Sequence, residues 1–512
     1  MSLPALSFAA ALFALFLLRR WRRASSTLPP GPPRDPIIGN LRQMPTERPP
    51  LVFHEWAKTY GDVVYLELPG KSIVLLDSLQ AAEDLLDKRS AIYSDRPPFT
   101  LYEMFGWMPA VSFLPYGKQF TTHRQMHHSY LNRMKVVEHQ PIQLQEARTL
   151  VDNLLHMRIG EHERYLSRFL PCVITQVVAG HRITSDDDPY LHLSKMVLES
   201  LFRSGPPGAT AIDFFPFLRH FPYWFPGTYY ARAASEWRPM VRELYDYPLR
   251  TVRAQKESGK ARTSFILSQL AEMEESRTET EQDMEDLKGS AAVMFAAGES
   301  TTWGTLSSFL LAMVLHPECQ EKAHKEIASV VGSTRLPDFA DRGSLPYVEC
   351  VHQEVFRWAA AVPLGVPHRV MEDDTYRGML IPAGSTVFAN IKGMTLDEKI
   401  YHDPHAFIPE RYLQPPHGRG EPHFPATFGF GRRVCTGQYL ADNSIWIAIA
   451  TMLAACRISN AVDENGDAIV PAGTVSYGIG SHPEEFQCVI TACSPQSAAI
   501  VRSALSFDPD EC

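Results

Sequence analysis

The chain is poor in the features that would cross-link or divide it. Its eight cysteines stand scattered at positions 172, 319, 350, 435, 456, 488, 493 and 512 of 512 residues. They form no Cys-x-x-Cys pair and no dense framework, which excludes a structural zinc module and a disulfide scaffold. No Asn-x-Ser/Thr sequon is present, in keeping with a body held in a reducing compartment. No interior linker or repeat interrupts the chain, so its length is read as one large domain. Positive charge is in deficit, 49 Lys and Arg against 58 Asp and Glu, for a net charge of -9. That balance gives no support to nucleic-acid binding and leaves any basic docking patch local.

What is there begins at the amino terminus. Leu3 to Leu18 is uncharged and almost wholly apolar, and Arg19, Arg20, Trp21, Arg22 and Arg23 follow at once. The run falls a little short of the roughly twenty residues that cross a hydrocarbon core, a deficit that Trp21 and the arginine stems make up at the interface. Positive charge on its carboxyl side keeps that side cytosolic. A cleaved signal peptide has the opposite order, basic residues before the run and small ones after it. Residues 1–18 are therefore expected to form a transmembrane helix, and 19–34 a basic flank with a proline-rich hinge. In that hinge Leu28-Pro29-Pro30-Gly31-Pro32-Pro33 forms a stiff extended connector, because proline fixes φ and offers no amide donor. Residues 35–512 make the catalytic body.

The most specific stretch is Phe428-Gly429-Phe430-Gly431-Arg432-Arg433-Val434-Cys435-Thr436-Gly437. Glycines without side chains let a flat, bulky cofactor lie against the peptide. Arg433 and the amides of the helix that follows favour thiolate over thiol at Cys435. Leu440, Ile445, Trp446, Ala448, Ile449, Met452 and Leu453 recur at helical spacing and anchor the loop to a core helix. Read from these residues alone, Cys435 is either an axial metal ligand or a small buried hydrophobe.

Phe428, Gly431, Arg433, Cys435 and Gly437 resemble, position for position, the F-x-x-G-x-R-x-C-x-G signature of the cytochrome P-450 superfamily. The resemblance implies haem b (iron protoporphyrin IX) with Cys435 as axial ligand, and oxygen activation favoured by the thiolate. Four further segments are similar to family motifs. Asp283 to Leu315 reads as a buried helix, apolar on most faces, with Ala297-Gly298-Glu299-Ser300-Thr301-Thr302 in its middle. By resemblance Gly298 would open a groove over the iron, and Thr301 would hydrogen-bond dioxygen and pass it protons. Ser300 departs from the pattern by occupying the acidic position, and the carboxylate comes one residue earlier, at Glu299. Glu354 and Arg357 resemble the E-x-x-R pair, with Arg411 of Phe407-Ile408-Pro409-Glu410-Arg411-Tyr412 as third member of a structural triad. Val362 to Arg369 looks like the strand that lines the substrate pocket, with His368 or Arg369 meeting a haem propionate. Tyr116 to Arg124 looks like the W-x-x-x-R helix. There Arg124 is a propionate partner, while Phe120 replaces the tryptophan and cannot donate an N–H bond.

The implied fold is mainly α with a small β portion, one large P-450-type domain behind an N-terminal transmembrane helix. The chain is most similar to fungal microsomal members that oxidise secondary metabolites, notably over Asp373 to Pro382 and around Trp446. The resemblance implies a lipophilic small-molecule substrate, dioxygen, and an NADPH-cytochrome reductase docking on Lys118, Arg124, Arg133, Lys135 and Arg432. It places the protein on the endoplasmic reticulum membrane as a single-pass protein with a cytosolic body. Substrate contacts are expected from Phe99–Pro109, Leu201–Phe225, Phe295, the strand at Val362 and Tyr477–Ile479. Two other functions stay open, a haem-thiolate enzyme of isomerisation, dehydration or peroxide chemistry, and a non-catalytic membrane haem protein.

Overall fold

The structure, a computed structural model, describes residues 27–204, 210–222, 224–225, 228–277, 279–478 and 480–506. The expected transmembrane helix at Leu3–Leu18 and its arginine cluster lie outside the described residues. Among the described residues no helix is long and apolar enough to cross a membrane. The chain forms two compact units: one of Met1–Pro97, Pro367–Asn390 and Phe430–Arg432, the other of Pro98–Val366, Ile391–Gly429 and Arg433–Cys512.

The first unit carries most of its order in a small sheet. β1 (Val63–Leu68) and β2 (Lys71–Leu76) are β-branched and leucine-rich and pair antiparallel. They are joined through Gly70 at φ 75°, the left-handed value a tight hairpin needs. The remaining strands come from three hundred residues further along: β3 (His368–Arg369), β4 (Asp374–Tyr376), β5 (Met379–Ile381) and β6 (Thr386–Ala389). The sheet order is β1-β2-β6-β3, with β6 parallel to β2, while β4 and β5 form a separate hairpin. The proline-rich connector docks on this unit. Pro29 and Pro32 are buried, the Pro30 carbonyl accepts the Tyr65 N–H at 2.9 Å, and the Thr27 carbonyl accepts the Leu380 N–H at 2.8 Å. An extended proline segment leaves its carbonyls unpaired, and a strand edge is a ready donor for them.

The second unit is helical. Its principal helices are α1 (Lys118–Leu131), α2 (Gln140–His156), α3 (His162–Ala179), α4 (Pro189–Ser204), α5 (Tyr229–Glu257), α6 (Glu281–Leu315), α7 (Pro346–Trp358) and α8 (Gln438–Ala455). α6, the 35-residue helix legible in the sequence, starts at a capping box. The Thr280 hydroxyl accepts the Asp283 N–H at 3.2 Å while the Asp283 carboxylate accepts the Thr280 N–H at 3.1 Å. It stops before Pro317, which disfavours helix at the residue it follows. α6 and α8 are buried on nearly all faces, so they form the centre on which α2, α3 and α7 pack. A three-stranded antiparallel sheet begins with β7 (Cys456–Val462), directly after α8. The fold is thus mainly α with a small β portion, as expected.

Candidate active site

The cysteine loop is held by its backbone. The Cys435 N–H donates to the Phe428 carbonyl at 2.9 Å, and the Phe428 ring meets Phe356 of α7 edge-on at 5.6 Å. Within the first unit, Gly431 sits at φ 53° and a Cβ there would lie 2.1 Å from the Leu86 carbonyl oxygen, so only glycine fits. The Gly431 N–H donates to the Asp87 carboxylate. Gly437 has an ordinary φ, and a side chain there would approach the Cys435 sulfur at 4.0 Å.

The thiol of Cys435 is accessible and yet deep within the second unit. Burial pushes its pKa up, opposed by the Gly437 backbone and by the charge of Arg124. The expected lowering by Arg433 is therefore corrected: Arg124, on α1, is the cation that the sulfur feels. Arg124 also donates to the Val434 carbonyl. Arg433 donates to the carbonyls of Val111 at 3.2 Å and Leu114 at 2.8 Å, with its guanidinium 3.8 Å above the Phe120 ring.

On α6 the residues of the central motif point different ways. Ala297 is exposed in the middle of an otherwise buried helix, with Gly298, Ser300 and Thr301 half-buried beside it. The Thr301 hydroxyl donates back to the Ala297 carbonyl at 3.0 Å. Gly298 lets α6 approach α3, since a Cβ there would meet Leu170 at 2.8 Å. Glu299 is buried and hydrogen-bonded to Ser194 of α4. Burial raises its pKa to about 7, against the hydrogen bond from Ser194 and the charge of Lys195. Ser194 carried no signal in the sequence.

The segment Val362–Val366 is a turn rather than the expected strand. Gly365 at φ 61° donates its N–H to the Val362 carbonyl at 3.0 Å, and extended structure begins only at His368. Glycine between two prolines breaks the ladder that the apolar pattern suggested. In the first unit, His368 is buried and its Nδ1–H donates to the Tyr93 carbonyl at 2.7 Å. Arg369 is paired with Asp95, Nε to Oδ2 at 2.8 Å.

The triad assembles in full. Glu354 accepts from Arg357 at 2.9 and 2.7 Å and from Arg411 at 3.1 Å, and all three are buried. Two members escaped the sequence reading: Tyr412, whose hydroxyl donates to Glu354 at 2.8 Å, and Glu421, which accepts from Arg411 at 2.6 Å.

These observations define a class: a helical protein with a reachable cysteine at the foot of a core helix, on a glycine-rich loop. The donor set fits haem. It has a soft sulfur ligand, guanidinium groups suited to carboxylates, and an accessible stretch on a buried helix. Sequence comparison places the chain: it belongs to the cytochrome P-450 family, whose model matches residues 29–487. It is 38% identical over 497 residues to cytochrome P-450 monooxygenase 136 of Postia placenta, covering 96% of this chain and 92% of that protein. It is 38% identical over 498 residues to the monooxygenase claR of Ampulloclitocybe clavipes, covering 96% and 91%. A relative from Armillaria gallica is 35% identical, with 96% of each chain covered. The protein is thus a cytochrome P-450 monooxygenase, and the family implies haem iron as cofactor.

Proposed function

We propose that the protein is a membrane-anchored monooxygenase that oxidises a lipophilic small molecule of fungal secondary metabolism. Dioxygen is the oxidant, and electrons come from NADPH through a cytochrome reductase. The observation that carries this reading is the accessible Cys435 thiol, enclosed deep in the second unit. When bound, haem supplies the oxygen activation that side chains cannot.

The protein's residues bind and orient. In the second unit Arg124 and Arg433 are the candidate donors for haem carboxylates, and within the first unit His368 has the chemistry for that role. Arg369, engaged by Asp95, ranks below them. Phe428, Gly431 and Gly437 shape the loop, and Gly298 and Ala297 leave the facing helix low. The Thr301 and Ser300 hydroxyls hold water and protons on that face. Glu299 is tied to Ser194, so its proton reaches the face only when that hydrogen bond opens. Half-buried Val362, Leu364 and Val366 supply an apolar wall for the substrate.

Exposed Lys118, Arg133 and Lys135, beside Met134 at 80% exposure, suit an acidic reductase. Arg124 is half-buried on Val434 and is withdrawn from that patch. The Leu3–Leu18 run and its arginines support a single-pass anchor in the endoplasmic reticulum with the body in the cytosol. Phe217 and Trp224, exposed at 58% and 72%, support a second, shallow contact with the bilayer.

Reduced membranes carrying the protein are expected to show the carbon monoxide band of thiolate-ligated haem, and Cys435→Ser to abolish it. An unchanged band in that variant sinks the assignment. With reductase and NADPH, metabolite extracts of the producing organism are expected to gain products heavier by one oxygen. The position of Ser300, with Glu299 turned away, favours one second reading, isomerisation, dehydration or peroxide chemistry at the same cofactor. Turnover without NADPH and dioxygen would select it.

A further inference from the structure

The absent tryptophan of the W-x-x-x-R helix leaves an aromatic ring with a different partner. Phe120 is 4% exposed, on the same face of α1 as Arg124 one turn later. Both side chains reach consecutive residues of the cysteine loop. Phe120 lies under the Arg433 guanidinium at 3.8 Å, and Arg124 donates to the carbonyl of Val434. The same guanidinium is held at its edge by the carbonyls of Val111 and Leu114, and Val111 and Leu114 belong to the apolar cluster that contains Phe120. The Tyr116 ring packs against Phe120 at a tilt, centroids 5.6 Å apart. A guanidinium gripped on its face by a π cloud and on its edge by two carbonyls has one orientation left.

We infer that Phe120 is a positioning residue for haem, acting through Arg433: its ring face fixes the guanidinium plane and, with Arg124, the two residues that precede Cys435. The missing indole N–H is replaced by an oriented cation rather than simply lost. The inference rests on the haem-thiolate reading, and it makes haem retention depend on the electrons of the Phe120 ring and not only on its volume.

Ring fluorination tests it, because successive fluorines drain the negative face of the ring while nearly keeping its shape. Holoprotein carrying mono-, di-, tri- or pentafluorophenylalanine at position 120 is mixed with excess apomyoglobin, and haem transfer is timed. Transfer is expected to quicken with each step, reaching roughly three- to thirty-fold at full fluorination. Phe120→Leu, which loses volume as well as the π face, should release haem at least as fast as the fully fluorinated ring, and Phe120→Tyr at the native rate. In an Arg433→Gln background the dependence on fluorine should vanish. Equal transfer rates across the series, or the same slope without Arg433, overturn the inference. The carbon monoxide band of the unmodified protein checks the parent reading separately, so the two failures are distinguishable.

Discussion

Glu299 shows how one step along a helix changes what a carboxyl group does. Neighbouring helical residues point about 100° apart, so an acid at 299 cannot do the work of an acid at 300. Here it turns from the accessible face of α6 to Ser194 on α4. Burial holds its pKa near 7 in the folded protein, against 4.5 for an ordinary glutamic acid. Between those values the folded chain keeps a proton that the unfolded chain releases. The contribution of this group to stability is therefore greatest below about pH 4.5 and is lost as pH rises through 7, by about 3 kcal/mol. Glu299→Gln is expected to remove that slope, so the variant gains on the native protein between pH 5 and pH 8. Thermal midpoints across the interval read it out, and parallel profiles would refute it. The displaced acid was legible in the sequence, but its partner was not. Ser194 is 105 residues away, and only the tertiary approach of two helices brings them together.

The triad belongs to the scale of elements, because it joins α7 to a loop that local propensity would leave free. Glu354 is the acceptor for two guanidinium groups, the Tyr412 hydroxyl and the Ile408 N–H at 2.9 Å. Two arginines and two glutamates, counting Glu421, leave the cluster without net charge. That balance makes its burial tolerable. Glu354→Ala would leave Arg357 and Arg411 buried without it, at a cost of about 3–5 kcal/mol. Arg411→Lys keeps the charge but loses the fork that spans Glu354 and Glu421, and should cost less. Yields of folded haem protein and rates of thermal bleaching should rank native, Arg411→Lys, Glu354→Ala. A reversed order would show that fork geometry, not charge balance, holds the loop. The pair and its third arginine were readable because spacing within a helix and a short motif carry them. Glu421 and Tyr412 were not, since nothing local distinguishes a buried glutamate from a surface one. The turn at Val362–Val366 was misread for a related reason. Alternating apolar residues describe a strand and a buried turn equally well, and the deciding φ of Gly365 is visible only in the backbone.

At the scale of the whole molecule, the first unit is assembled from pieces that the sequence separates by hundreds of residues, which is why no linker announced it. Its amino-terminal piece is tied down earlier than the connector reading implied. The Thr27 and Pro30 carbonyls accept from two strands, the Asn40 amide donates to the Pro32 carbonyl at 3.1 Å, and Arg34 lies over the buried Tyr65 ring at 5.0 Å. Gly31 passes so close to β1 that a Cβ would fall 2.1 Å from the Tyr65 carbonyl oxygen. These contacts set where the chain can be shortened. Removing residues 1–26 takes away the proposed anchor and none of these bonds, so the truncated protein should leave the membrane fraction more readily and keep its carbon monoxide band. Removing residues 1–34 strips partners from Tyr65 and Leu380 and uncovers the side chains beneath Pro29 and Pro32. At about 1 kcal/mol per hydrogen bond lost, the penalty is roughly 2–4 kcal/mol with the lost burial included. Timed heating followed by the carbon monoxide spectrum compares the two: the shorter deletion should bleach at the native rate and the longer one severalfold faster. Equal bleaching would mean that the proline segment is a spacer after all, since docked carbonyls cannot be removed from a strand edge without cost.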